Sequence, residues 1–131
     1  MHPDLYRMGM EGMERLPNHC DAADVYAIWA SLFNGVQVLM NRQTPLHRDN
    51  GTLHTCFDML VTIGPYHSAF LHLPGVGLYF AYSSGTVVGL CGRVLSHAVN
   101  DATGERLCLA YYMRENVQKR LKTRPADWCK C

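Results

Sequence analysis

Short apolar runs recur through residues 56–113, and turn-forming residues separate them at regular intervals. The runs are rich in β-branched and aromatic residues and have the length of strands rather than of helices. We predict strands at Cys56–Ile63, Ala69–Leu73, Val76–Tyr82, Thr86–Cys91 and Arg106–Met113. The intervening turns are predicted at Gly64-Pro65, Pro74-Gly75, Ser83-Ser84-Gly85 and Asn100–Gly104. Many short strands with evenly spaced turns indicate a mainly β domain, either a sandwich or an open barrel.

The chain before this region is less regular. Residues 1–20 have little periodicity apart from a weak helical pattern at Met8–Leu16, so we expect an irregular or partly helical lead-in. Asp21-Ala22-Ala23-Asp24 can cap a turn of helix. Val25–Phe33 is apolar and aromatic enough for a strand, although its first half fits a helix equally well. Asn34-Gly35 predicts a hairpin turn because both residues tolerate a positive φ, with Val36–Met40 as the return strand.

The end of the chain predicts a helix. Arg114–Leu121 has helix-forming composition, Val117 and Leu121 are four residues apart, and Pro125 is expected to end the helix. A chain of 131 residues is long enough for one hydrophobic core. We therefore expect an N-terminal lead-in over residues 1–24 and a β domain over residues 25–131 that includes this C-terminal helix.

Charge is distributed unevenly along the chain. Residues 1–105 hold five Lys/Arg and nine Asp/Glu, whereas residues 106–131 hold seven and two. The positive charge is concentrated in the predicted C-terminal helix and just after it, at Arg114, Lys119, Arg120, Lys122 and Arg124. Such a basic segment can rest against phosphates, and it is equally compatible with an ordinary solvated helix face.

Several protein classes are disfavoured by the composition. No apolar stretch approaches the length of a membrane span, and Met1–Leu5 lacks the basic and apolar regions of a secretory signal, so we expect an intracellular protein. The six cysteines form no C-x-x-C pair, which argues against a zinc module. Cys56, Cys91 and Cys108 lie within apolar runs and are expected to be reduced, buried thiols.

Two histidines and one aspartate stand at spacings that suit a single metal ion. His47 and Asp49 are two residues apart, so in an extended backbone both side chains point to one face. His97 lies fifty positions after His47, and we expect it to come from a strand of the facing sheet. Two imidazoles and a carboxylate can occupy one face of an iron(II) ion and leave three positions open. Individually, each residue also fits an ordinary polar loop.

Arg106 completes this set of candidate site residues. It lies nine positions after His97 and offers the planar fork of donors that binds the far carboxylate of 2-oxoglutarate. An ion pair with Asp58 or Glu105 is the alternative role for Arg106. Together, the four residues predict a dioxygenase that depends on iron and 2-oxoglutarate. Asn41 is a further candidate ligand of 2-oxoglutarate, or else a turn-forming residue.

The segments around these residues resemble a known family. Residues 41–49 (NRQTPLHRD) are similar to the iron-binding strand and loop of fungal members of the TET/JBP family, which oxidise methyl groups on nucleobases. Residues 85–97 (GTVVGLCGRVLSH) resemble the segment of the distal histidine, and residues 106–114 (RLCLAYYMR) resemble the strand with the arginine that binds 2-oxoglutarate. The likeness extends from about Trp29 to Leu121. The chain differs from the family in having almost none of the long region that usually precedes this core.

The resemblance implies a fold, cofactors and a substrate. The expected fold is a double-stranded β-helix, or jelly roll. His47, Asp49 and His97 are expected to bind Fe(II), with 2-oxoglutarate and O2 as co-substrates and Arg106 and Asn41 as ligands of 2-oxoglutarate. The implied substrate is a methylated base in DNA, 5-methylcytosine first and N6-methyladenine second, which in turn implies a nuclear location.

The substrate class rests on this resemblance, so alternatives stay open. One is a dioxygenase that acts on a small molecule or a protein side chain, because the fold hosts many substrates. Another is a cupin-like module that binds metal without turnover, and a homodimer is also open. Expected contacts with nucleic acid are Arg42, Arg48, Lys119, Arg120, Lys122 and Arg124.

Overall fold

The computed structural model describes residues 2–19, 21 and 23–128. Its α-helices are α1 (Pro3–Arg15), α2 (Ala23–Ile28) and α3 (Glu115–Leu121). Its strands are β1 (Gly35–Met40), β2 (Thr44–His47), β3 (Asp58–Ile63), β4 (Tyr66–His67), β5 (Phe70–Leu73), β6 (Leu78–Ala81), β7 (Val87–Leu90), β8 (His97–Val99), β9 (Thr103–Gly104) and β10 (Leu107–Tyr112).

The strands form two four-stranded sheets and one small ribbon. The first sheet has the order β1-β10-β3-β7 and the second has the order β2-β8-β5-β6, while β4 pairs with β9. All of these pairings are antiparallel. The mainly β architecture expected from the sequence is therefore present.

Side chains from both four-stranded sheets share one hydrophobic core. Leu71 and Val99 of the second sheet are buried in the same cluster as Leu90 of the first sheet, and Leu60 and Val88 pack against it. Alternate residues of a strand point to opposite faces, so each sheet contributes every second side chain. The two sheets therefore pack face to face, and residues at their ends can meet around a common space.

The five strands predicted within residues 56–113 are present, with shorter bounds. The segment expected at Val76–Tyr82 begins later as β6, because Pro74–Val76 forms a turn of 3-10 helix. The strands that the apolar pattern did not mark are β2, β4, β8 and β9, each of two to four residues. Segments this short do not span enough residues to show a period of two.

The predicted hairpin at Asn34-Gly35 is wrong. Helix α2 precedes it in place of a strand, so the helical interpretation of the first half of Val25–Phe33 is the correct one. Strand β1 pairs with the distant β10, with Gly35 opposite Tyr112. A side chain at position 35 would collide with the Tyr112 ring, so this glycine is needed for packing and not for a turn.

The N-terminal segment is more ordered than its sequence pattern suggests. Helix α1 begins at Pro3, and its buried side chains Leu5 and Met8 form a second cluster with residues that include Cys56 and Met113. This helix therefore packs against the β domain at Cys56 and Met113. The proposed division into residues 1–24 and 25–131 stays a prediction.

The C-terminal helix and the cysteines largely follow expectation. Helix α3 ends because Lys122 adopts a left-handed conformation with φ 54°, three residues before Pro125. Cys56, Cys91 and Cys108 are free and buried, as predicted. Cys20, Cys129 and Cys131 lie outside the described residues. No helix in the described part of the chain is long and apolar enough to cross a membrane.

Candidate metal centre

His47, Asp49 and His97 lie together at one end of the second sheet. Each offers one ligand atom, and these atoms all lie within 4.8 Å of one another. The His47 and His97 Nε2 atoms are 3.5 and 3.6 Å from the two carboxylate oxygens of Asp49. This donor set, two nitrogens and a carboxylate, is the one that iron(II) oxygenases use.

The two histidines come from neighbouring strands of the same sheet. Strand β2 pairs with β8, and His47 stands directly opposite His97 in the register. The expectation that His97 comes from the facing sheet is therefore wrong. Directly opposed side chains in an antiparallel pair lie close together, which explains the 4.2 Å separation of the two ring centroids.

Backbone carbonyls orient both imidazoles. His47 Nδ1 lies 2.8 Å from the carbonyl oxygen of Pro45, and His97 Nδ1 lies 3.1 Å from that of Leu95. A carbonyl oxygen can only accept, so each Nδ1 carries the proton and donates it. In the neutral ring Nε2 is then the nitrogen with the free lone pair, on the side that faces Asp49, where it can act as a ligand.

Asp49 is held by the loop that precedes His97. Its backbone N–H donates to the Gly92 carbonyl oxygen at 2.9 Å. A side chain at position 92 would collide with the Asp49 carboxylate, so only glycine leaves the carboxylate its place. The segment 91–96 therefore positions Asp49 and also His97, since it supplies the carbonyl that orients the His97 ring.

Arg106 is a buried cation without a carboxylate partner. The residue is only 4% exposed. Its Nε donates to Thr62 Oγ1 at 3.2 Å, and its Nη1 donates to the Arg42 carbonyl oxygen at 3.1 Å. Among the described residues it forms no ion pair, so the alternative pairing with Asp58 or Glu105 is absent.

Asn41 contacts the backbone of Arg106. The Arg106 N–H donates to Asn41 Oδ1 at 2.7 Å, and the Asn41 N–H donates to the Arg106 carbonyl oxygen at 2.8 Å. Asn41 takes a positive φ of 47°, as asparagine tolerates better than most residues. The side chain thus anchors the start of the arginine strand, and its role toward 2-oxoglutarate stays a prediction.

A polar cavity borders the metal carboxylate. It has a volume of about 90 Å³. Its lining is mostly polar: Gln37, Asp49, Asn50, Thr52, Asp58, Leu60, Ala110, Tyr112 and Arg114. The Thr52 hydroxyl donates to the Asp58 carboxylate at 3.2 Å. The sequence suggests Asp58 only as a partner of Arg106, although an acidic residue inside an apolar run is a signal of a buried functional group.

The environment of Asp58 disfavours its ionised form. Burial, followed by the negative charge of Asp49, raises the Asp58 pKa to about 7, against the opposing effect of the Thr52 hydrogen bond. The folded protein therefore holds this proton more tightly than the unfolded chain, whose carboxyl has a pKa of 3.8. Stability from this group is present below about pH 4 and is lost as the pH rises to about 7.

Asp58→Asn is expected to flatten this pH dependence in the metal-free protein. Between pH 5 and pH 7.5 the free energy of unfolding of the parent should fall by about 2–3 kcal/mol more than that of the variant. The asparagine amide oxygen can still accept from Thr52, which makes the change conservative. Urea unfolding at the two pH values measures the difference. Equal slopes in both proteins would contradict the assignment.

Three arginines lie near the metal loop: Arg48 within it, Arg93 against Asn50, and Arg114 in the lining of the polar cavity. Arg48 Nε donates to Ser96 Oγ at 3.0 Å, and Arg93 Nη1 donates to the Asn50 carbonyl oxygen at 2.8 Å. The Arg114 guanidinium lies over the Tyr112 ring, 4.4 Å from its centroid. Arg93 was not predicted as a site residue, because its isolated position in the sequence gave no signal.

Helix α3 lies beside the metal loop from its first turn to Lys119. The Glu115 N–H donates to the Gly51 carbonyl oxygen at 2.9 Å, and Lys119 lines an open cleft with Asn50 and Gly51. At the other end, the Lys122 carbonyl oxygen accepts a hydrogen bond at 2.6 Å from Arg15 of α1. Lys119 thus lies at the metal loop and the Lys122 backbone at α1, and the six nucleic-acid contacts stay predictions.

Comparison with known proteins identifies the family of the chain and a solved structure with a similar fold. Residues 1–115 match the TET/JBP family, described as the oxygenase domain of the 2OGFeDO superfamily. No curated protein matches the chain. Among solved structures the chain is similar to NgTET1 in complex with 5mC DNA, at 19% identity and a TM-score of 0.64. That match covers 81% of this chain and 42% of the NgTET1 chain.

At this level of identity the structural match shows the fold. It confirms the double-stranded β-helix expected from the sequence, and the chain spans less than half the length of the NgTET1 chain. The superfamily depends on Fe(II), 2-oxoglutarate and O2, and the cluster of His47, Asp49 and His97 suits iron. Since the family match covers most of its length, the chain belongs to the TET/JBP family of oxygenase domains.

Proposed function

We propose that this protein is an Fe(II)- and 2-oxoglutarate-dependent dioxygenase that oxidises the methyl group of a methylated base in DNA. The preferred base is 5-methylcytosine, with N6-methyladenine second. The observation that carries the proposal is the meeting of His47, Asp49 and His97 within 4.8 Å, with both Nε2 atoms turned toward the carboxylate.

The side chains of this centre have distinct roles. His47, Asp49 and His97 hold Fe(II), which with 2-oxoglutarate and O2 supplies the oxidation of a C–H bond. The Pro45 and Leu95 carbonyls keep the two imidazoles in the ligating tautomer. These hydrogen bonds hold both imidazoles in an orientation suited to metal binding.

Arg106 binds the distal carboxylate of 2-oxoglutarate in this proposal. A buried cation is costly unless an anion accompanies it, and the contacts of Arg106 within the described residues are with uncharged groups. A dicarboxylate co-substrate supplies the missing negative charge and can accept from the planar guanidinium. Thus the burial and the missing partner of Arg106 both support this role.

The substrate class is supported by the polar cavity and by the arginines near the metal loop. Gln37, Asn50 and Asp58 line the cavity beside Asp49 and offer hydrogen-bond partners to the edge of a base. Asp58 suits a base with an exocyclic amino donor, which cytosine and adenine have and thymine lacks at the corresponding position. A base must leave the duplex to reach such a site, and phosphate contacts hold the strand meanwhile. NgTET1, which has the same fold, was solved with 5mC DNA.

The substrate proposal is tested with matched oligonucleotide duplexes. Duplexes that carry 5-methylcytosine, N6-methyladenine or no modification are incubated with Fe(II) and 2-oxoglutarate, and their nucleosides are analysed by mass spectrometry. We expect oxidised 5-methylcytosine above oxidised N6-methyladenine. Succinate without any oxidised base would redirect the proposal to a small-molecule or protein substrate, and no succinate would favour a non-catalytic metal-binding module.

The proposal also predicts DNA binding that weakens with salt. Changing Lys119, Arg120, Lys122 and Arg124 to Gln should lower affinity for all sequences and flatten the salt slope by about one unit for each phosphate that is no longer neutralised. Fluorescence anisotropy over a salt series measures both. Turnover of 2-oxoglutarate without DNA should persist, because the metal centre and Arg106 are unchanged.

Two single variants refine this prediction. Lys119 borders the cleft next to the metal loop, whereas the backbone of Lys122 lies against α1. Lys119→Gln should therefore weaken DNA binding more than Lys122→Gln. If the fourfold variant binds DNA with unchanged affinity and an unchanged salt slope, the basic residues of α3 form an ordinary solvated helix face. Arg42 and Arg48, the nuclear location and a homodimer stay predictions.

A further inference from the structure

A chain of buried hydrogen bonds runs behind Arg106. Arg106 Nε donates to Thr62 Oγ1 at 3.2 Å, and Thr62 Oγ1 lies 2.9 Å from the hydroxyl of Tyr66. The Tyr66 hydroxyl in turn lies 2.7 Å from the carbonyl oxygen of Tyr82. Thr62 is fully buried, at 0% exposure, so water cannot replace any of its partners.

One arrangement of the protons satisfies every contact of this chain, from Arg106 to the Tyr82 carbonyl. The guanidinium only donates and the Tyr82 carbonyl only accepts, so the direction is fixed at both ends. Tyr66 gives its single proton to Tyr82, and Thr62 gives its proton to Tyr66. The Thr62 oxygen is then left as the acceptor for Arg106. Because every hydroxyl is satisfied, the chain is a rigid support rather than a mobile one.

The same contacts restrict the plane of the Arg106 guanidinium. Nη1 donates to the Arg42 carbonyl oxygen, and Cζ lies 5.2 Å from the centroid of the Tyr82 ring. Nη2 has no hydrogen bond among the described residues. Among the described residues, Asn34 Nδ2 is the one fully buried side-chain nitrogen or oxygen without a hydrogen-bond partner. Since Nη2 also lacks a partner, it is not fully buried. Arg106 therefore keeps one donor group open.

We propose that Thr62 is a positioning residue for the co-substrate, held in turn by Tyr66. By accepting from Nε, Thr62 fixes the guanidinium plane so that Nη2 is presented to the distal carboxylate of 2-oxoglutarate. This inference rests on the role of Arg106 in the proposed function. Planar carboxylate recognition depends on the orientation of the fork as well as on its charge, so loss of the acceptor weakens binding although Arg106 stays in place.

Paired variants of Thr62 test the inference. Thr62→Val keeps the shape and removes the hydroxyl, whereas Thr62→Ser keeps the hydroxyl. The Kd for 2-oxoglutarate is measured by calorimetry on the Fe(II)-loaded protein without oxygen. We expect about tenfold weaker binding in Thr62→Val, the loss of a hydrogen bond to a charged group, and nearly unchanged binding in Thr62→Ser. Fe(II) affinity should be the same in both variants.

Tyr66→Phe provides a third point in case Thr62→Val folds poorly. Without Tyr66 as acceptor, the Thr62 hydroxyl can turn to the Leu107 carbonyl oxygen at 3.3 Å and still accept from Arg106. The effect on 2-oxoglutarate binding should be smaller than that of Thr62→Val. Equal Kd values in the Val and Ser variants, or a larger effect in Tyr66→Phe, would overturn the inference.

The Arg106→Ala variant separates this inference from the proposal that supports it. If Arg106→Ala weakens 2-oxoglutarate binding and Thr62→Val does not, the positioning role of Thr62 is wrong and the proposed function stands. If Arg106→Ala leaves the binding unchanged, the co-substrate role of Arg106 itself fails.

Discussion

Asp49→Ala is expected to abolish both iron binding and base oxidation. The carboxylate is the one negatively charged member of the cluster and the link between the two histidines, whose Nε2 atoms lie 3.5 and 3.6 Å from its oxygens. A facial set that lacks one ligand loses affinity and geometry together. His47→Ala and His97→Ala should have the same effect. Metal content by atomic absorption and oxidised nucleosides by mass spectrometry measure the two losses.

Asp49→Glu serves as a matched variant. It keeps the charge but moves the carboxylate by about one methylene, out of the space beside Gly92 that the native carboxylate occupies. We expect impaired turnover with some remaining metal. Normal metal content and normal turnover in Asp49→Ala would show that the cluster is not the iron site.

Arg106→Ala should produce the second large effect, on 2-oxoglutarate alone. Removing charge-assisted hydrogen bonds from a buried site is expected to raise the required co-substrate concentration about a hundredfold or more. Fe(II) binding should persist, because none of the three candidate ligands contacts Arg106 in the structure. Titration of 2-oxoglutarate against succinate formation measures the change.

Arg106→Lys controls for charge and burial. An ammonium ion retains the positive charge but cannot reproduce the planar fork that Thr62 and the Arg42 carbonyl hold in place. We therefore expect Arg106→Lys to need less 2-oxoglutarate than Arg106→Ala, but more than the parent protein. An unchanged titration in Arg106→Ala would mean that another basic residue binds the co-substrate.

The strands in the centre of the fold were predictable because the turns between them have recognisable sequences. Gly64-Pro65 and Ser83-Ser84-Gly85 interrupt apolar runs, and β3, β5, β7 and β10 fall within the predicted segments. The candidate ligands were predictable because their chemistry requires particular residue types, and two of them, His47 and Asp49, are close in sequence. His47, Asp49 and His97 meet in the structure as those residue types require.

Strand pairing was not predictable from local pattern. Asn34-Gly35 has the sequence of a hairpin turn, yet β1 pairs with β10 over a long separation, and Gly35 accommodates the Tyr112 ring. The pairing of β2 with β8 brings His97 beside His47 in one sheet. Such choices depend on the whole set of competing strand pairs, which the residues of one segment do not contain.

Supporting residues were missed for a related reason. Asp58, Thr62 and Arg93 have no motif, and their roles arise from the fold, as in the contact of Thr62 with the distant Arg106. Helix α1 was underestimated because its buried face is largely methionine and glycine, with Met8 and Gly9 both buried. Glycine lowers helix propensity, but here it permits close packing against Leu32 and Met113.

The ratio of succinate to oxidised base tests the central claim most directly. The protein is incubated with Fe(II), 2-oxoglutarate and a duplex that contains 5-methylcytosine, with Asp49→Ala as the matched control. We expect at least one succinate for each oxidation step in the parent protein, and neither product in the variant. Base oxidation that needs no 2-oxoglutarate, or equal product from Asp49→Ala, would contradict it.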